Sequence, residues 1–389
     1  MHKPILIEKI FPLIGNIFLP AFIFSAFLFG FYINETFSHG FTNFLHFGFY
    51  IISFCALLFL IYFNKGQPFF IFCITIIAYT FINLLKHLYA QDYTHSSAYV
   101  GLSILLPLNL IFFYFYTPRS FLNKKSVWVL ISFLFQFSII EYISRHSINT
   151  NALFIQQDSN LSVFSYLSFF ILFAIITINA IRTGSNNDYN LLFATISIFM
   201  ALYHSDTASG LCAFFSAASL CLISASAQNI YNETYKDTLT GLDSRNSFII
   251  HSKNFPFKYC IGIISIDDYD KLGTNFNKRT QDILTKLIAE EISETEKEEN
   301  IYRYSPDEFV IVYKNIDKKE GFERLEAIRR AIASAQFQFN NRHKPLKLTV
   351  SACISEKKRS DASSFEVLVR ADKALQKTRC FSHNVTTKA

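Results

Sequence analysis

Few side chains able to do chemistry stand in the first 228 residues, and most of those sit inside or beside apolar runs. Glu141 closes one such run, with Arg145 four residues on. An acid near the end of a lipid-soluble segment reads in two ways: as a ligand or proton-linked group in a sensory cavity, or as an interfacial i,i+4 ion pair. His46, Gln136 and His204 are of the types that hydrogen-bond one membrane helix to another. Of the seven cysteines, Cys55, Cys73, Cys212 and Cys221 lie in apolar runs, no two form a C-x-x-C pair, and no His/Cys cluster has zinc spacing. They are expected to pack as small apolar residues. Further on, chemistry gathers at Ser305-Pro306-Asp307-Glu308, a polar break between two runs of β-formers, Ile301–Tyr304 and Phe309–Lys314, with Arg303 just before it. This is the pattern of a hairpin, its charges either solvated or turned toward a partner.

The elements that carry these residues belong to two solvents. Charged side chains number 16 in residues 1–228 and 50 in residues 229–389, where a soluble chain carries about 25%. The net charge of +6 is small and mixed, which argues against a nucleic-acid surface. About 20 apolar residues cross a bilayer as a helix, and eight segments qualify: 10–33, 41–63, 68–85, 97–116, 126–143, 162–181, 189–203 and 209–227. The seventh is short and the eighth rich in Ser and Ala, so that pair alternatively forms one re-entrant hairpin. Either count is even and puts both termini on one side. With the N-terminus inside, the inner segments hold Lys3, Lys9, Lys65, Arg119, Lys124, Lys125 and Arg182, and the outer loops only Lys86 and Arg145. That bias makes both termini cytoplasmic, with lipid as the surrounding partner. The first apolar run lacks a small-residue cleavage site and reads as a retained anchor.

From Ala225 the chain turns polar without Gly or Pro before Gly241. A helix leaving the membrane is therefore expected to continue through Tyr235, making 228–236 a signalling helix or passive stalk. Residues 237–245 read as a turn and cap before a helix at 244–254. Strands are expected at 259–266 and 346–355 besides the hairpin, with helices at 280–296, 319–334 and 364–379. The fold class is thus a membrane α-helical bundle of about eight spans (1–227) followed by a cytoplasmic α/β domain (237–385).

Three segments of that second domain resemble one family. Asp237-Thr238-Leu239-Thr240-Gly241-Leu242-Asp243-Ser244-Arg245 is similar to the D-x-L-T-G-L-x-N-R opening of diguanylate cyclase (GGDEF) domains. Arg303-Tyr304-Ser305-Pro306-Asp307-Glu308-Phe309 stands where that family has R-Y-G-G-[DE]-E-F, and Ala371-Asp372-Lys373-Ala374-Leu375 resembles its A-D-x-A-L helix. The resemblance implies a cyclase-like fold and membership of cyclic-di-GMP signalling. In that family two GTP-loaded domains face each other, and Mg²⁺ held by carboxylates balances the phosphate charge.

The chain departs from the family at most of the positions that do this work. The first carboxylate of the D-x-D strand end is Ser265, leaving Asp267, and the two glycines are Ser305-Pro306. Proline removes an N–H and fixes φ. Gly273 replaces the guanine-contacting Asn, while Asp282 matches the second guanine contact. Of the two phosphate-contacting cations, Arg379 persists and the other is His383. The inhibitory R-x-x-D reads Glu296-Lys297-Glu298-Glu299, so product feedback there is not expected. One lost electrostatic group in a transition-state site costs about 2.7–4 kcal/mol, and several are changed here. The expected protein is a sensor with a degenerate domain, a pseudoenzyme acting by nucleotide or partner binding. Asp282 and Arg379 are its nucleotide-binding remnants, and no cofactor is assigned, Mg²⁺ entering only with GTP. A homodimer, an active cyclase or another cyclic-di-GMP pathway protein is the expected partner. The alternatives are a working cyclase, with Asp307 on the metal and Asp267 or Glu308 as candidates beside it, and a transport-like protein gated by its cytoplasmic domain.

Overall fold

A computed structural model describes residues 5–33, 39–89, 94, 96–116, 118, 124–145, 160–275, 277–296, 300–337 and 347–389. It divides into two units, Met1–Ile230 and Tyr231–Ala389.

The first unit is helical: α1 (Ile5–Ile33), α2 (His39–Tyr62), α3 (Gly66–Tyr89), α4 (Ser97–Phe115), α5 (Lys124–Arg145), α6 (Val163–Thr183), α7 (Asn186–Tyr203) and α8 (Ala208–Tyr235). These cover the eight expected spans. Five of them, α2, α3, α4, α6 and α8, are long and apolar enough to cross a membrane among the described residues. The outer faces carry large apolar side chains in the open, including Phe22, Phe47, Phe54, Trp128, Phe170 and Ile181. In water such a surface would drive association; in lipid it is solvated. Phe49, Phe70, Tyr79, Tyr99, Phe113, Phe214 and Phe215 fill the interior. Of these five, α8 has the most enclosed apolar stretch, and this explains its composition, since Ala, Ser and Gly let neighbouring backbones approach. It is one continuous helix and runs through Tyr235, as the absence of Gly and Pro predicts.

Polar side chains in this unit bond across helices. Asn109 Nδ2 donates to Gln136 Oε1 at 3.0 Å, joining α4 to α5. His46 Nδ1 lies 2.5 Å from the Tyr79 hydroxyl, which lies 3.1 Å from Cys212 Sγ, linking α2, α3 and α8. His204 packs its ring against Phe31 and Phe214. The side chains of Glu141 and Arg145 lie outside the described residues, as do Lys297, Glu298 and Glu299 of the changed inhibitory motif.

The second unit is a six-stranded sheet in the order β1-β3-β4-β2-β5-β6. Its strands are β1 (Asp243–Ser244), β2 (Tyr259–Ile266), β3 (Asn300–Arg303), β4 (Glu308–Lys314), β5 (Val350–Glu356) and β6 (Thr386–Lys388). Strand β2 is central and antiparallel to both β4 and β5, while the outer pairs β1–β3 and β5–β6 are parallel. Alternation along β2 sorts its side chains between two layers. Cys260, Ile264 and Ile266 meet the core under α11 (Lys278–Thr295) and α12 (Lys318–Ser334). Tyr259, Ile261 and Ile263 meet the core under α9 (Arg245–His251) and α13 (Ser364–Arg379). Burying each of Leu284, Ile288 and Ile292 on α11 contributes about 1.5–3 kcal/mol. A Cβ on Gly262 would stand 2.8 Å from Leu325 Cδ1, so the strand needs glycine there for α12 to seat. Short helix α10 (Tyr269–Asn275) follows β2.

Candidate functional site

By the same alternation Ser265 faces the α13 layer, and its partner across the sheet is Glu308, at the start of β4. The end of β2, the β3–β4 turn and the last turn of α13 therefore converge.

The turn is Ser305-Pro306-Asp307-Glu308. Glu308 N–H donates to Ser305 O at 3.3 Å, and Tyr304 N–H to Glu308 O at 2.9 Å. None of the four residues has positive φ. Proline thus occupies the second position of an ordinary β-turn with Ser at the first, where both are favoured. No glycine is required to close it. Ile266 N–H donates to Asp307 O at 2.9 Å and fastens the turn to β2. Arg303 braces it from beneath, giving one hydrogen bond to Pro306 O at 3.1 Å and one to Asp237 Oδ1 at 2.8 Å. Asp237 also accepts from Thr240 N–H and Thr240 Oγ1 at 2.9 and 2.8 Å. Burial opposes ionisation of Asp237, but the Arg303 and Thr240 hydrogen bonds outweigh it and hold its carboxyl below the usual range. Gly241, at φ +73°, closes that second turn. The opening motif is therefore a clamp for the hairpin, which gives Arg303 a definite partner.

Arg379 lies across the site. Its Nη1 donates to Ser265 Oγ at 2.7 Å and its Nη2 to Ile266 O at 3.4 Å, with Asp307 Oδ2 at 4.0 Å. Ser265 in turn donates to Asp307 Oδ2 at 3.3 Å. The single Ser305 hydroxyl proton is shared between Asp307 Oδ1 at 2.9 Å and Glu308 Oε2 at 3.1 Å. Burial, and then the Asp307 charge, push the Glu308 carboxyl above its usual range. Phe309 points the other way and is fully buried in the α11–α12 core.

Asp267 does not join them. Its Oδ1 accepts from Ser351 Oγ at 2.7 Å, and its Oδ2 from Thr349 Oγ1 and from Asn384 N–H, both at 2.8 Å. With three donors on a nearly buried carboxylate, Asp267 staples the end of β2 to β5 and to the C-terminal segment. Asp282 is half-buried on α11 and makes no hydrogen bond or ion pair with the hairpin or with Arg379 among the described residues. His383 Nδ1 lies 3.6 Å from Asp268 Oδ2.

Whether a divalent cation fits is decided by the same contacts. Ser265 Oγ and Ile266 O, at the end of β2, both accept from the Arg379 guanidinium. Mg²⁺ at a nucleotide is held by one or two carboxylates together with phosphate oxygens, and Asp307 and Glu308 are the carboxylates that would hold it here, with Arg379 against the neighbouring strand end. The site is a carboxylate pair balanced by a fixed organic cation.

The family model for the diguanylate cyclase GGDEF domain matches residues 234–384. Diguanylate cyclase DgcP of Pseudomonas aeruginosa is 29% identical over 120 residues, 31% of this chain; the chain spans only 17% of that protein's length. Among solved structures, the coiled coil and GGDEF domain of DgcB from Caulobacter crescentus, in complex with c-di-GMP, is 21% identical. It covers 42% of this chain and 90% of that one, with a TM-score of 0.39. Diguanylate cyclase SiaD of Pseudomonas aeruginosa, solved with its activator SiaC, is 13% identical over 69% of this chain and 93% of that one, with a TM-score of 0.38. Residues 234–384 of the chain belong to the diguanylate cyclase GGDEF domain family.

Proposed function

We propose that the chain is a membrane-embedded regulator of cyclic-di-GMP signalling whose GGDEF domain makes no dinucleotide and acts by binding nucleotide or a partner. The observation that carries this reading is the Arg379–Ser265–Asp307 chain. A guanidinium fixed by two hydrogen bonds covers the end of β2, and the family's first metal carboxylate is here a hydroxyl. Catalysis of phosphoryl transfer rests on positioned cations, and Arg379 as held here is committed to its own protein. The proline turn adds to this, because it supplies one N–H fewer to an incoming phosphate.

The same reading makes the helical unit an eight-span inner-membrane sensor with both termini cytoplasmic, and the GGDEF domain a surface for a second copy or an active cyclase. The full chain in detergent with Mg²⁺ and GTP is expected to yield no cyclic-di-GMP by mass spectrometry. Product that disappears in Asp307→Ala would overturn the proposal.

A further inference from the structure

Where α8 nears the end of the helical unit, five helices leave a cavity of about 380 Å³. One wall is apolar, formed by Ile71, Leu191 and Leu222; another is polar, with Gln67, Asn187 and Asn229. Asp188 is the one charged residue in the lining, and it is 5% exposed. Its Oδ1 accepts from the Tyr114 hydroxyl at 3.1 Å, and its Oδ2 from Asn179 Nδ2 at 3.1 Å and Thr183 Oγ1 at 3.0 Å. All three donors are neutral, and Asp188 has no ion-pair partner among the described residues.

These contacts bind α4, α6 and α7 together, and a purely structural carboxylate would need nothing more than that. Two features exceed it. Asp188 lies in the first turn of α7, whose N-terminus carries roughly half a positive charge, so the buried anion is only partly balanced. It also borders an open volume instead of packed side chains, with about one lone-pair position of four still unspent. Gln67 donates its amide nitrogen to Phe113 O at 2.7 Å, which leaves its Oε1 as a further acceptor on the same cavity.

We propose that this cavity binds a small organic cation, its primary ammonium on Asp188 and its carbon chain against Ile71, Leu191 and Leu222. The volume falls in the range of about 300–1,000 Å³ that holds small molecules, and a lone inorganic ion would leave most of it and the whole apolar wall unused. A ligand seated here touches α8, the helix that continues to Tyr235, so its occupancy bears directly on the segment that leads into the GGDEF domain.

The test uses the full chain in lipid nanodiscs and three probes of one shape: n-butylammonium, n-butanol and butyrate, with sodium chloride as a fourth arm. Saturation-transfer NMR is expected to show saturable binding of n-butylammonium alone, weakened at least tenfold in Asp188→Asn. If Asp188→Asn does not give monodisperse protein, Ala225→Leu fills the cavity from α8 and leaves the carboxylate in place, and it is expected to abolish binding. The proposal is overturned by the absence of saturable n-butylammonium binding up to about 10 mM, by equal binding of the neutral or anionic probe, by competition from sodium, or by binding that survives Ala225→Leu.

Discussion

Glu308 is a carboxylate held where it would rather be neutral. Burial and the adjacent Asp307 charge raise its pKa above the unfolded value, so between the two values the native state holds a proton that the unfolded chain has lost. Stability contributed by that proton is present at low pH and declines as pH rises through the folded value. Glu308→Gln should therefore unfold at a higher urea midpoint than the parent at pH 7, with the difference vanishing below pH 4.5; a lower midpoint at pH 7 would show that the ionised group is stabilising. Arg303 works in the opposite sense. It satisfies Asp237 and Pro306 O together, and removing it strands a mostly buried acid. Arg303→Ala is expected to cost about 1–3 kcal/mol, read as a shift in urea midpoint at unchanged slope. At this scale the sequence identifies the types at Ser265, Asp307, Glu308 and Arg379 but not who touches whom. Asp267 is a candidate metal carboxylate only through the resemblance, as the remaining acid of the D-x-D strand end. Its actual donors, Thr349, Ser351 and Asn384, come 82 or more residues later, where no local pattern points back.

Elements were legible in proportion to how strongly burial patterns them. Strand β2 is buried on both faces along all eight residues and so reads as an unbroken apolar run at the observed limits. Helix α11 shows its face by period. Strands β1 and β6 have two and three residues, and α10 has few apolar side chains besides Tyr269 and Leu272; none of these carries a repeat long enough to detect. Gly262 is a feature that only packing reveals, since its place in β2 is set by Leu325 above it. Gly262→Ala should destabilise the domain by about 1–3 kcal/mol through overpacking, and Leu325→Ala in the same chain should cost less than it does alone. Additive losses in that cycle would mean the strand and α12 do not press on each other. The turn supports a second test. Ser265→Asp with Ser305→Gly and Pro306→Gly restores the family's pattern at the site and is expected to raise Mg-GTP affinity, measured by calorimetry on the full chain. Unchanged affinity would place the obstacle at Arg379, which still covers the strand end in that variant.

For the whole molecule, the proposed eight-span topology sets the side on which the GGDEF domain lies by parity, and α7 is one of the helices on which that parity turns. That helix has 18 residues, about 27 Å at 1.5 Å each, and its first turn is polar: Asn187, Asp188 and Asn190. Facing lipid, such a turn would hold α7 at the interface and leave an odd number of crossings. Asp188 and Asn190 are instead buried against neighbouring helices, with Asn190 Nδ2 donating to Gln228 Oε1 on α8 at 3.1 Å. Protein thus surrounds these two polar side chains, which removes the cost that a crossing by α7, as the proposed topology requires, would otherwise carry. Under the proposed topology, with α7 counted, Arg119 and Arg182 would lie inside and Arg145 outside. Reporters fused after residues 150 and 206 should read outside, and those after 120 and at the C-terminus inside. A reporter after 206 that reads inside would remove α7 from the crossings and put the C-terminal domain on the outer face, away from cytoplasmic nucleotide, ending both the topology and the signalling role that depends on it.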